Sequence, residues 1–138
     1  MEDLSKYDED FFLFLEGGFI AINQADEDAA LKMFKACALL RPENTLTTVG
    51  LGYLHLHKLE LKAAIEYFRT VIVKEPDNAM AQTFLGIALS LTPDQVTEGE
   101  QILENAAKHS TNADVKKVAN TTLDFVDEFV KKTGTSPR

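Results

Sequence analysis

Cysteine is nearly absent: Cys37 stands alone in 138 residues. A single thiol forms no internal disulfide, so a small disulfide-stapled scaffold is excluded and a reducing compartment, the cytoplasm, is the expected setting. Prolines number four and glycines seven, which leaves little room for long linkers. Basic residues are also in deficit, 14 Lys and Arg against 22 Asp and Glu, a formal net charge of −8. Nucleic-acid binding needs a cationic patch to neutralise phosphates, so this balance argues against it, and equally against an anionic membrane surface. No apolar run approaches the roughly 18 residues of a membrane span. The start, MEDLSKYDED, is acidic where a secretory leader would be basic and then apolar, so no leader is expected. What is present is an ordinary soluble balance, 45% apolar and 26% charged, in a length suited to a single domain spanning 1–138.

Within that length the chain repeats itself. Residues 29–42, AALKMFKACALLRP, and 63–76, AAIEYFRTVIVKEP, share an Ala-Ala pair, a Phe and a closing Pro at the same spacing. Gly18 and Gly52, Ala30 and Ala64, Phe34 and Phe68, and Pro42 and Pro76 are each 34 residues apart. The same step from Leu51-Gly52 lands on Leu85-Gly86. Beyond Gly86 the match slips by one residue near LTPDQ, after which Gly99, Leu103 and Ala106 take the places of Ala64, Phe68 and Val71.

Each copy reads as two helices. In the second, Asn44 caps a helix running to about Lys58, and a second helix carries Leu61, Ala64, Phe68, Val71 and Ile72 at helical spacing. It stops before Pro76, which has no N–H to donate, and Asp77-Asn78 offers the next cap. The break at HKLEL has no glycine to turn on. Gly52 and Ala64 leave room for close backbone approach, with Phe68 filling the space beside them.

A 34-residue period with Leu-Gly in the first helix, Ala-x-x-x-Phe in the second and a closing Pro resembles the tetratricopeptide repeat. The resemblance implies an all-α superhelix of tandem helix-turn-helix units, with repeats at 11–44, 45–78 and 79–112. Residues 113–132 then read as a capping helix with Asn112 as its N-cap. Val115, Val118, Ala119, Thr122, Phe125, Val126 and Phe129 form its apolar face, opposite Lys116, Lys117, Asn120, Asp124, Asp127 and Lys131. The final KKTGTSPR is expected to fray.

Function must come from residues the packing motif does not need. One stripe of the first helices holds Phe12, Leu15, Phe19 and Ile22, then Leu46, Val49, Tyr53 and Leu56, then Met80, Thr83, Ile87 and Ser90. All but Thr83 and Ser90 are apolar or aromatic. In the repeat family this stripe lines the concave face, so the resemblance implies a groove for an apolar amphipathic segment of a partner protein. The alternative is a stripe covered by the chain's own amino-terminal segment, carrying Leu4 and Tyr7, or by self-association. A two-carboxylate clamp of the kind some tetratricopeptide domains use is not expected. The first helices offer it only Asn23 and His57, with Lys58 at a helix end.

No catalytic, cofactor or metal site is expected. His55 and His57 are two residues apart and point about 200° apart on a helix, so they cannot chelate one ion. His55 takes a packing position, His109 lies near a helix end, and Cys37 falls on a core face as a small hydrophobe. The carboxylates of the N-terminal run and of Glu98, Glu100 and Glu104 read as solvated faces. No phosphate loop, metal-spaced Cys/His set or nucleophile elbow is present.

Within the repeat family, the junction FKACALLRPENTLTTVGLGYLHLHKLELKAAIEYF and the overall layout resemble the tetratricopeptide-type chaperones of bacterial type III secretion. That resemblance implies a non-catalytic cytoplasmic chaperone holding a needle or translocator subunit, with a homodimer or a co-chaperone heterodimer left open. The other expectation is a general scaffold whose groove is self-filled or used for oligomerisation.

Overall fold

The computed structural model describes residues 5–131. After a 3₁₀ segment, Ser5–Asp10, come α1 (Phe11–Asn23), α2 (Glu27–Leu40), α3 (Thr45–His57), α4 (Leu61–Lys74), α5 (Ala79–Ser90), α6 (Val96–His109) and α7 (Ala113–Phe125). A π-helical turn, Val126–Val130, extends α7. The described residues contain no strand, and the helices pack in neighbouring pairs. Helices α1, α3 and α5 start at residues 11, 45 and 79, two steps of 34, and α2 and α4 start at 27 and 61, another step of 34. Helix α6 starts at 96, a step of 35, so the one-residue slip falls between Ser90 and Val96, in LTPDQ.

Local chemistry explains the boundaries. Asp26 and Asn78 each accept the backbone N–H three residues on, at 3.0 and 2.9 Å, and Asn44 accepts that of Leu46 at 2.9 Å. Asn112 accepts from both Asp114 and Val115 at 2.9 and 3.1 Å. These caps satisfy N–H groups that the first turn of a helix leaves without partners. Between paired helices the chain turns through a left-handed residue that is not glycine: Ala25 (φ 60°), Leu59 (φ 60°) and Asp94 (φ 69°). These three are themselves spaced by 34 and 35 residues, so the strained turn belongs to the repeat. Leu59 is the turn in HKLEL that had no glycine.

The chain divides into two compact units, Met1–Tyr67 and Phe68–Arg138, with the boundary inside α4. In the first, α1 packs on α2, and α3 packs against both. Its core joins Phe11, Leu15, Ala21, Ile22, Ala30, Phe34, Cys37 and Leu54. Phe34 lies where α1 and α3 both lack a side chain. A β-carbon on Gly18 would collide with its ring, and one on Gly50 would sit 2.5 Å from it. In the second unit α5, α6 and α7 pack on one another around Leu103, Ala106 and Ala119. There a β-carbon on Gly86 would lie 2.8 Å from Leu103, so Leu103 stands to Gly86 as Phe34 stands to Gly18. Gly99, in the place Ala64 takes in the second copy, approaches the α5 backbone so closely that its β-carbon would lie 2.8 Å from the Gly86 carbonyl oxygen. The glycines therefore serve close helix approach.

The expected capping helix spans α7 and its π turn as far as Val130; residues 132–138 of the expected KKTGTSPR fray lie outside the described residues. Only part of its apolar face is covered. Ala119 and Val126 are buried and Val115 half-buried, whereas Val118, Phe125 and Phe129 are exposed. One charge reading is corrected: Glu100 does not lie on a solvated face. The π turn returns Lys131 over α6, where it pairs with a Glu100 carboxylate that is only 14% exposed. Glu100 thus forms a partly shielded ion pair that also holds Lys131 above its usual pKa.

Candidate binding surface

The stripe residues fall into three groups. Leu15, Ile22, Val49 and Leu56 are buried. Phe19, Leu46, Tyr53 and Ile87 are half-buried; the first three pack on the first unit's core and Ile87 on the Leu103–Ala119 cluster. Phe12 and Met80 remain open, at 54% and 42% exposure. Thr83 and Ser90, the polar members, are buried. The cause is geometric. A residue every three or four positions marks one helix face, and where α1 packs beside α3 the middle of that face meets its neighbour rather than water. Periodicity locates the face but cannot say how much of it a neighbouring helix covers.

What the first unit presents is an aromatic run. Phe19 meets Phe34 edge-on at 5.7 Å and lies 5.4 Å from Tyr53, and Tyr53 lies 6.1 Å from His57. The Tyr53 hydroxyl donates to Asn23 Oδ1 at 2.8 Å. That bond ties α1 to α3 and occupies the Asn23 oxygen, and aromatic pairs at these separations add about 0.5–1.5 kcal/mol beyond burial. Among the residues of α1, α3 and α5, ionisable side chains other than tyrosine are limited to Glu16, His55 and His57. The side chains of these helices are therefore almost all apolar or uncharged.

The amino-terminal segment is pinned by Arg41 at the start of α1. Asp8 accepts from Arg41 Nε and Nη2 at 3.2 Å each, and Arg41 Nη2 also donates to the Asp8 carbonyl at 3.1 Å. The Arg41 guanidinium lies 4.7 Å from the centre of the Phe11 ring and 5.1 Å from that of Phe12. The segment packs on α1 and α2, and Tyr7 is exposed. Leu4, the other residue expected to cover the stripe, lies outside the described residues. No sequence signal singled out Arg41, because its partners are 33 and about 30 residues away and obey no period.

Several polar groups around α3 and α4 are engaged with one another. His55 stacks on Tyr67 at 5.3 Å, and its Nδ1 lies 2.8 Å from Glu60 Oε1. Lys58 reaches Glu27 at 2.7 Å and Glu60 at 3.3 Å. These two partners hold the Glu60 carboxyl below its usual pKa, His55 contributing more than Lys58. Cys37 is fully buried, and burial pushes its thiol up, away from the reactive thiolate. No group of three or more metal-ligating side chains occurs among the described residues, and no described helix is long and apolar enough to cross a membrane. Compared with protein-family models, curated proteins and solved structures, the chain matches none.

Proposed function

We propose that the chain is a non-catalytic protein-binding module of tetratricopeptide-like superhelical form, acting as a cytoplasmic chaperone. On this reading its first helices receive an apolar, helical segment of a partner, a needle or translocator subunit of type III secretion. The observation that carries the reading is the near absence of charge from α1 and α3 of the first unit, combined with a solvent-open Phe12 and the half-buried Phe19 and Tyr53 on those helices. An apolar segment laid there would bury surface at about 25 cal/mol per Å². The 34-residue step, retained in helix starts, turns and glycine contacts, supports the repeat form.

A second reading, a general scaffold whose stripe is filled by its own chain or by homo-oligomerisation, is favoured by the burial of Leu15, Ile22, Val49 and Leu56. The two readings are separated by affinity capture of co-purifying protein from the native host, using wild type and a Phe12→Ser/Met80→Ser variant. Both residues are exposed, so the variant should fold. A chaperone should lose its captured segment by on the order of tenfold or more, since anchor truncations commonly cost 1–2 kcal/mol each. Undiminished capture of the same protein would defeat the groove reading and leave the scaffold.

A further inference from the structure

Between α2 and α3 of the first unit lies a cleft of about 490 Å³ over Leu31, Phe34, Ala38, Thr47 and Leu51, with Asp28, Lys32 and Lys35 along its rim. That volume falls in the range of roughly 300–1,000 Å³ occupied by small-molecule sites. The second unit holds its counterpart one repeat on. Lys35, Ala38 and Leu51 correspond to Arg69, Ile72 and Leu85, all lining a cleft of about 370 Å³. There the cation is satisfied within the chain, Arg69 Nη2 donating to the Glu98 carboxylate oxygens at 3.1 and 3.3 Å. One repeat before Glu98, 35 residues back across the slip, stands Ala63. The first cleft therefore keeps the cation and lacks its carboxylate. Lys35 is exposed and has no ion pair among the described residues, whereas Lys32 is paired with Asp28 at 3.0 Å. Thr47 is a second departure. The next repeat has a fully buried Ala81 in its place. Thr47 is only 7% exposed, and its hydroxyl oxygen has no hydrogen-bond partner. A buried hydroxyl left unpaired is costly. Threonine on a helix has two favoured rotamers, and turning from one to the other moves its hydroxyl relative to the cleft.

We propose that this cleft binds a small carboxylate with an apolar chain, a medium-chain fatty acid. The ligand's carboxylate supplies to Lys35 what Glu98 supplies to Arg69, and it offers the Thr47 hydroxyl the acceptor that the chain does not provide. The alkyl chain covers Leu31 and Leu51, which stand half or more open to water in a cleft floored by Phe34. The rim sets two lysines against one aspartate, and that aspartate is engaged by Lys32, so one cation is left over. One unpaired ammonium matches a single negative charge, which suits a carboxylate better than a phosphate dianion. Lys35 lies at the surface, so the charged part of the recognition is modest and weakens with salt, while the apolar part persists. The cleft is distinct from the stripe of the first helices, and the proposal stands independently of the proposed partner.

Titration of the full chain with sodium octanoate, followed by methyl NMR, tests it. The methyls of Leu31, Thr47 and Leu51 should shift together and saturate at low millimolar ligand, while those of Ile22 and Leu46 on the stripe should not. Octanol, which has the chain without the charge, should bind about fivefold more weakly, and acetate, which has the charge without the chain, should leave the methyls unmoved. Lys35→Gln, at an exposed position, should weaken octanoate about threefold to fivefold, the scale of a surface charge pair. Ala63→Glu installs the residue of the third repeat and should weaken octanoate to a similar degree, by giving Lys35 a carboxylate within the chain. Thr47→Ala, the residue of the next repeat, should fold and should also lower affinity. Failure of octanoate to saturate overturns the proposal, as do shifts confined to the stripe. Octanol binding as tightly as octanoate, or unaltered affinity in Lys35→Gln, overturns the carboxylate as the recognised group. Unaltered affinity in Thr47→Ala removes the hydroxyl from the site.

Discussion

Phe34 seats the edge of its ring against the bare α-carbon of Gly18, where no β-carbon fits. The neighbouring Gly17 differs: its nearest outside atom is the Met33 sulfur at 3.4 Å, the end of a flexible side chain. Gly18→Ala should therefore destabilise by about 1–3 kcal/mol through overpacking. Gly17→Ala should be neutral or stabilise by up to about 1 kcal/mol, the helix propensity gained. Urea melts of the two variants check this. Equal effects would mean that the Phe34 contact relaxes at no cost.

Leu59 holds a left-handed backbone with its side chain 70% exposed. The strain is not offset by burial. Leu59→Gly should raise stability by about 0.5–1 kcal/mol, the left-handed cost less the entropy of a glycine in the unfolded chain. Leu59→Asn should also stabilise. The adjacent Lys58→Gly (φ −85°) should lower stability, because Lys58 loses its pair with Glu27 and relieves no strain. A thermal midpoint that falls for Leu59→Gly would show that this leucine makes a contact worth more than its strain.

Glu60 gives a pH dependence with a definite sign. Its folded pKa is depressed by His55 and Lys58. A depressed carboxyl contributes stability above its unfolded value, about 4.3, and that contribution is lost as pH falls through the folded value. Glu60→Gln should therefore be less stable than wild type at pH 7, and the gap should close between pH 5 and pH 3. Urea midpoints at those pH values read it. A gap constant down to pH 3 would assign the loss to packing.

Much of this architecture is legible in the residues because repetition makes one observation count several times. Gly18, Phe34 and Pro42 fix the phase, and Asn44, Asn78 and Asn112 mark helix starts by a chemistry that acts over three residues. The slip at LTPDQ was legible for the same reason. Three features were not. Gly50 as the second wall around Phe34 breaks the period, since the residue 34 positions later is Phe84. Leu59 in a left-handed turn contradicts its own propensity, and only the geometry of its two helices imposes it. The stripe was legible as a face, but its burial depends on how closely α1 and α3 approach, which Leu15 and Val49 cannot report from their spacing alone.

Arg41 is the remaining non-periodic device, and its loss should be local. Its ion pair with Asp8 is partly solvent-exposed, the two side chains being 30% and 57% exposed, so screening limits its worth to about 0–1 kcal/mol. The two ring contacts add about 0.5–1 kcal/mol each at such a site. Arg41→Gln keeps a long polar side chain but removes the bidentate fork and the cation. The global urea midpoint should move by no more than about 2 kcal/mol in free-energy terms, because Phe34 and Cys37 keep α2 on the core. Hydrogen exchange should respond far more, with amides of residues 5–10 losing protection while those of α1 and α2 keep theirs. Phe12 should also gain exposure, since the guanidinium borders that ring. If exchange rises equally across α1, the Asp8–Arg41 clasp is part of the fold of the first unit. If nothing changes in residues 5–10, another contact holds the segment.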